Sequence, residues 1–139
     1  MRKTVFVDTS CWVGFFLSRD QFHKEAVRVL DQLAEQGRQL VTSEYVVAET
    51  VTRLRKQGGF KIAAQAWDEL ETSEWVELVE AGKDDRRLAR AVFQKYADHV
   101  LSVVDCLSFV LMKKHGIREA ATFDEDFKKA GFAVVPRGD

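Results

Sequence analysis

Residues 4–10 read Thr-Val-Phe-Val-Asp-Thr-Ser. Four β-branched or aromatic side chains follow one another without polar alternation, the pattern of a strand covered on both faces, as in a parallel sheet. The run stops at an acid, and Thr9 or Ser10 offers a hydroxyl to cap a following helix that carries Trp12, Val13 and Phe16. Strand, acid and helix in immediate succession make Asp8 informative, because open parallel sheets bind ligands just beyond the C-terminal ends of their strands.

Outward from this segment the apolar pattern keeps alternating between short runs and helical stripes. Phe22, Ala26, Val29, Leu30 and Leu33 predict a second helix that stops near Gly37, and Leu40-Val41-Thr42 a second strand. From Ser43, the spacing of Val46, Val47, Thr50, Val51 and Leu54 predicts a helix, which Gly58-Gly59 separates from another reaching about Ser73. Trp75 to Val79 fits an edge strand. Asp84 to Tyr96 predicts an amphipathic helix with Leu88, Val92 and Phe93 inward and Arg86, Arg87 and Arg90 toward solvent. Val103 to Met112 is apolar nearly all round, the mark of a central helix, and holds one acid, Asp105. A strand at Ala120 to Thr122, a short helix from about Asp124 and a strand at Ala133 to Val135 close the chain. The expectation is an α/β fold of three layers, with a short, mostly parallel sheet between helices.

Length and composition bound the function. A chain of 139 residues with 46% hydrophobic and 31% charged residues is expected to form one domain over residues 1–139 with a substantial core. The net charge of −1 means that any nucleic-acid binding must come from a local basic patch. Cys11 and Cys106, far apart and in no C-x-x-C pair, read as free thiols. No run approaches the roughly 18 apolar residues of a membrane span, so no membrane association and a cytoplasmic location are expected.

Four acids stand where burial is expensive. Asp8 and Asp105 are embedded in apolar runs, Glu49 lies among the apolar positions of the third helix, and Asp124 follows a strand. Their separations are too long for any local metal motif, so only the fold can join them. Two carboxylates about 4 Å apart repel by roughly 4 kcal/mol at an effective dielectric near 20, and such a site holds a proton or a cation. Oxygen-only ligands select Mg²⁺ or Mn²⁺ over zinc, and these ions bridge carboxylates to phosphate oxygens, which points to phosphodiester hydrolysis by metal-activated water.

Val7-Asp8-Thr9-Ser10, Glu49 on a mid-chain helix, Leu101-Ser102-Val103-Val104-Asp105 and Thr122-Phe123-Asp124-Glu125-Asp126-Phe127 together resemble the four acidic motifs of the PIN domain, in order and over essentially the whole chain. Small stand-alone chains of this kind resemble the VapC toxins of toxin–antitoxin pairs, which are Mg²⁺-dependent endoribonucleases. The resemblance implies that Asp8, Asp105 and Asp124 ligate or closely approach the metal and that Glu49 acts through water. It also implies that the hydroxyls of Thr9, Ser10 and Thr122 orient carboxylates or bound water. Asp126 suits metal binding and helix capping equally. The implied partners are an RNA substrate, a small protein antitoxin that occludes the acidic pocket, and a second copy in a homodimer.

Plainer readings stand beside these. Glu49 can pair with Arg53 one turn on, and Asp124 can simply cap the short helix. Arg53, Arg55 and Lys56, the group Arg86, Arg87 and Arg90, and the pair Lys113 and Lys114 can each be a solvated face. Whichever flanks the acidic pocket would hold the RNA backbone. Trp12, Phe16 and Trp67 fit core packing better than base stacking. His23, His99 and His115 form no zinc pattern, Ser10 lacks a local base, and Ser10 also stands where a D-x-D phosphatase needs its second acid. Two rival functions remain. One is a non-catalytic PIN-like module binding RNA or protein, and the other is a metal-dependent phosphatase or DNA nuclease using the same acids.

Overall fold

The computed structural model describes residues 3–137. Strand β1 (Thr4–Val7) is fully parallel to both its neighbours, β2 (Gln39–Ser43) and β4 (Glu119–Ala121). The edge strands β3 (Val76–Val79) and β5 (Ala133–Val135) complete a five-stranded sheet of order β3-β2-β1-β4-β5, parallel throughout. Val5, Phe6 and Val7 are each 0% exposed, which is why the central strand carries an unbroken apolar run.

Each strand-to-strand connection is helical. Helices α1 (Thr9–Phe16) and α2 (His23–Glu35) join β1 to β2, and α3 (Glu44–Gly58) and α4 (Phe60–Thr72) join β2 to β3. Helices α5 (Lys83–Lys95) and α6 (Val103–Lys114) then lead to β4, and α7 (Asp126–Lys129) leads to β5. The chain builds outward from β1 in one direction through β2 and β3, then returns across the sheet to β4 and β5. With right-handed crossovers this reversal puts α1 to α4 on one face and α5 to α7 on the other, giving the three layers. It also opens a switch point between the C-terminal ends of β1 and β4, where open sheets take their ligands.

Local chemistry sets the ends of these elements. Ser43 caps α3 by accepting the Val46 N–H at 3.1 Å. Gly116, at φ 66°, turns the chain after α6 so that the Ile117 N–H reaches the Met112 carbonyl at 2.8 Å and Ile117 is buried. The cap expected at Thr9 or Ser10 is instead Asp8, whose backbone carbonyl accepts the Cys11 and Trp12 N–H groups. Thr9 is already helical, because the strand ends one residue before it. Ser43 and Thr42 anchor the second crossover, and the buried Thr42 hydroxyl donates to the Val7 carbonyl at 2.9 Å while accepting the Trp12 indole N–H at 3.3 Å.

Helix α6 is the central helix foreseen, with every residue from Cys106 to Met112 buried. Helix α5 departs from expectation. Leu88 and Phe93 are 57% and 50% exposed, and the inner stripe is Asp85, Ala89 and the half-buried Val92. A buried acid heads that stripe because it is satisfied: Asp85 accepts the Gly82 N–H at 2.8 Å and pairs with Lys114 of α6 at 3.1 Å. The Gly82 N–H, with Lys114 beside it, holds Asp85 below the usual carboxylate range. Both cysteines are free and buried. Among the described residues no helix is long and apolar enough to cross a membrane.

This division of apolar residues is testable by urea unfolding. Leu111, 0% exposed, is expected to cost about 2–5 kcal/mol as Leu111→Ala. Leu88→Ala, on the outer face of α5, is expected to change stability by less than about 0.5 kcal/mol. Comparable losses in the two variants would contradict the observed packing of α5.

Candidate active site

The switch point collects the acids. Asp8 follows β1 directly, and its backbone N–H continues the sheet by donating to the Ala121 carbonyl at 3.0 Å. This bond aligns the end of β1 with the end of β4, three residues before Asp124. Asp105 lies in the first turn of α6, in a reciprocal capping box with Ser102: the Asp105 N–H donates to the Ser102 hydroxyl at 3.0 Å, and the Ser102 N–H donates to Asp105 Oδ2 at 3.2 Å. Asp124 Oδ1 accepts the Asp126 N–H at 2.9 Å, so the residue that turns the chain into α7 also fixes the distance between two acids.

Two hydroxyls bind these pieces together. Thr122 Oγ1 donates to Asp8 Oδ2 at 2.9 Å and accepts the Asp124 N–H at 2.9 Å. Ser10 Oγ lies 3.2 Å from both Asp8 Oδ2 and Thr122 Oγ1 and accepts the Phe123 N–H at 3.0 Å. The loop after β4 is thus tied to the loop after β1 through side chains 112 and 114 positions apart in sequence. The third hydroxyl, Thr9 Oγ1, is buried and has no hydrogen-bond partner among the described residues.

Asp105, Asp124 and Asp126 each offer a carboxylate oxygen, all within 4.8 Å of one another. Asp8 is outside that trio yet close enough for its charge to act on Asp105. Glu49 is not drawn into it. Glu49 is half-buried on α3, and among the described residues it makes neither a side-chain hydrogen bond nor the ion pair with Arg53 that would have explained it. Asp126, which capping and metal binding explained equally well from sequence, is the acid that geometry adds. The signal available in the sequence was its two-residue spacing from Asp124 across a turn.

The electrostatics follow from burial and crowding. Burial pushes Asp8 up to about 6, against the hydrogen bonds from the Thr122 hydroxyl and the Thr9 backbone N–H, with repulsion from Asp124 adding to the rise. Burial and then the charge of Asp8 push Asp105 up to about 7. Asp124 is also raised, first by burial, which the Asp126 backbone N–H and the charge of Lys129 oppose and the Asp126 carboxyl reinforces. No lysine or arginine forms an ion pair with these acids among the described residues. The two thiols nearby are raised as well, Cys11 by burial and Asp8 and Cys106 by burial and Asp105, which keeps both in the protonated thiol form.

A divalent metal fits this donor set. All the donors are carboxylate oxygens, and oxygens sharing one ion at about 2.0–2.6 Å each stand at most about 4–5 Å apart, a limit that the 4.8 Å trio meets. The carboxylates are held in place by the protein rather than neutralised by it. A divalent cation held by Asp105, Asp124 and Asp126 would supply the charge compensation that these carboxylates otherwise lack.

With this geometry in view, the chain can be set beside known proteins. It belongs to the PIN domain family, whose model matches residues 5–133. It is 36% identical over 132 residues to the 23S rRNA-specific endonuclease VapC20 of Mycobacterium tuberculosis, covering 94% of this chain and 97% of that protein. The crystal structure of that protein, described as a sarcin-ricin loop cleaving toxin, superposes with a TM-score of 0.85, covering 93% of this chain and 96% of the other. A VapC ribonuclease of Aquifex aeolicus is 26% identical over 133 residues, covering 93% of each chain. VapBC2 of Rickettsia felis, solved bound to a promoter DNA fragment, shares the fold with a TM-score of 0.69 at 13% identity, covering 94% of this chain and 96% of that one.

The raised acids make a signed prediction for the metal-free protein. A carboxyl that holds its proton more tightly folded than unfolded stabilises the fold at low pH, and that contribution is lost as pH rises from about 4 through the folded values of about 6 and 7. In chelator, the melting temperature is expected to fall between about pH 4 and pH 8, and Asp8→Asn is expected to flatten the fall and raise the melting temperature at the alkaline end. A wild-type melting temperature that climbs across this window would contradict the assignment.

Proposed function

We propose that this chain is a Mg²⁺- or Mn²⁺-dependent endoribonuclease and the toxin of a VapBC-type pair. The observation that carries the reading is the carboxylate trio at the switch point, buttressed by hydroxyls rather than cations, in a chain 36% identical to an rRNA endonuclease.

Asp105, Asp124 and Asp126 would hold the ion, with Asp8 beside them. A divalent cation bound there supplies Lewis acidity, lowering the pKa of water and offsetting the charge that develops on the phosphate. The chain's own contribution is placement. Thr122 and Ser10 fix Asp8 through Oδ2, and the capping box fixes Asp105 at the N-terminal end of α6, whose partial positive charge faces incoming anions. Glu49, unpaired, is left to position or deprotonate the attacking water. Attack by water leaves a 3′-hydroxyl and a 5′-phosphate and makes no use of the RNA 2′-hydroxyl.

The similarity to VapC proteins supports two partners. One is a small protein antitoxin that covers the acidic pocket and brings a basic side chain to it, and the other is a second copy in a homodimer.

Incubating the purified chain with total cellular RNA and Mn²⁺, then mapping new 5′ ends, tests the reading without guessing the substrate. New 5′-phosphate ends are expected, absent in chelator. Asp105→Asn is expected to reduce them by more than the roughly 10- to 100-fold typical of removing a supporting group, and Thr122→Val by about that amount. Ends carrying a 2′,3′-cyclic phosphate, or undiminished cleavage by Asp105→Asn, would overturn it.

A further inference from the structure

The turn that carries Asp124 and Asp126 is held by a ring as well as by hydroxyls. Phe123, between Thr122 and Asp124, gives its N–H to Ser10 Oγ at 3.0 Å, and its half-buried side chain packs against the core. Its ring lies on that of Phe22, with centroids 4.3 Å apart and planes within 3° of parallel. Among the described residues this is the closest ring pair and the one stacked pair, the others standing 4.9–6.3 Å apart at 30–82°. Face-to-face contact sets both the height and the tilt of a ring, so Phe22 holds the Phe123 side chain in one plane.

Phe22 is itself built into place at the corner between α1 and α2. Its N–H donates to Asp20 Oδ2 at 2.9 Å, and its carbonyl accepts the Ala26 N–H at 2.8 Å. The next residue, His23, donates from Nδ1 to the Gly14 carbonyl of α1 at 2.8 Å. A Cβ at Gly14 would stand 3.1 Å from the Ala26 Cβ, tighter than ordinary van der Waals contact, so glycine lets the start of α2 lie directly on α1. Arg19 adds a tie from the corner to the Gln57 carbonyl in the last turn of α3. Helix α1 starts one residue after Asp8, and the corner at its far end returns Phe22 to the residue before Asp124. The arch therefore begins at one acid of the site and ends at another. It uses no cation near the carboxylates, so it restrains them without competing with a metal ion for their charge.

We propose that Phe22 is a positioning residue for the metal-binding acids. Stacked on Phe123, it holds the turn 122–126 against the repulsion among Asp105, Asp124 and Asp126, so that these carboxylates stay at the spacing one divalent ion needs. The proposal rests on the metal-dependent reading of the site and deepens it by assigning the support of two of its ligands. Phe22 acts through Phe123 and touches neither the ion nor the substrate.

Amide hydrogen exchange of the metal-free protein and calorimetric titration with Mn²⁺ test this on Phe22→Ala and Phe22→Tyr. In Phe22→Ala the Phe123, Asp124 and Asp126 N–H groups, which are bonded to Ser10, Thr122 and Asp124, are expected to exchange about 3- to 10-fold faster, the range an aromatic pair is worth. The Ile117 N–H, bonded to Met112 on the other side of β4 from the turn in sequence, is expected to keep its wild-type rate. Affinity for Mn²⁺ is expected to fall by about the same 3- to 10-fold. Phe22→Tyr, which keeps the ring, is expected to stay within about twofold of wild type in both measurements. In RNA cleavage, saturating Mn²⁺ is expected to restore Phe22→Ala, with KM for RNA unchanged. Wild-type exchange and Mn²⁺ affinity in Phe22→Ala would overturn the proposal, as would exchange accelerated equally at Ile117, which would make Phe22 a general packing residue. So would a raised KM with Mn²⁺ affinity unchanged, which would give the ring to the substrate. Wild-type protein that binds Mn²⁺ and cuts no RNA would refute the nuclease reading and leave the exchange and affinity results to decide on Phe22. Cleavage with Phe22→Ala indistinguishable from wild type at limiting Mn²⁺ would keep the nuclease and refute the positioning role.

Discussion

Mutual repulsion among carboxylates, held together by the topology of the sheet, is the constraint around which this protein is organised. Asp8 at the end of β1 and Asp124 beyond β4 meet because the chain reverses its direction across the sheet between these two strands. Asp105 arrives on the central buried helix, and its place is set by the capping box that begins that helix. Asp8, Asp105 and Asp124 are tied down through backbone and hydroxyl groups, and among the described residues none forms an ion pair with a lysine or arginine. Apart from the more distant pull of Lys129 on Asp124, the protein supplies geometry and leaves most of the charge uncompensated. Burial then raises Asp8, Asp105 and Asp124 together. Such an arrangement costs stability at neutral pH and is kept where a cation is to be bound.

The acids gather beyond the C-terminal ends of the central strands β1 and β4, while Lys83, Arg86, Arg87 and Arg90 stand on α5, which the buried Asp85 ties to α6 through the half-exposed Lys114. Asp85 is thus a structural acid, satisfied by the Gly82 N–H and Lys114. It anchors the basic helix against the helix that carries Asp105.

The succession of strands and helices along the chain could be read from the alternation of short apolar runs with helical stripes, because an unbroken apolar run such as Val5, Phe6 and Val7 suits a strand buried on both faces, whereas the order of the strands in the sheet is given only by the fold. Helix α5 resisted that reading. Its Leu88 and Phe93 fit an inward stripe by spacing alone, and only the packing shows that Asp85 and Ala89 occupy it. At the site, Asp8, Asp105 and Asp124 were legible because acids inside apolar runs need a reason to be there. Glu49 carried the same signal but stays out of the trio, while Asp126 joins it. That exchange turns on the Asx turn at Asp124, a distance of one hydrogen bond that no spacing rule encodes. Thr9 and Ser10 look equivalent in sequence, yet Ser10 reaches Asp8 and Thr9 does not, because consecutive helical residues point about a quarter-turn or more apart.

The central claim is that the fold assembles these acids to hold one kind of ligand, and titration calorimetry with Mn²⁺ at pH 8 addresses it without reference to any substrate. Wild type and Glu49→Gln are expected to bind the ion with similar affinity, since Glu49 lies outside the trio, whereas Asp124→Asn is expected to lose binding. Wild-type protein that takes up no Mn²⁺, or Asp124→Asn that binds it as tightly as wild type, would contradict the account.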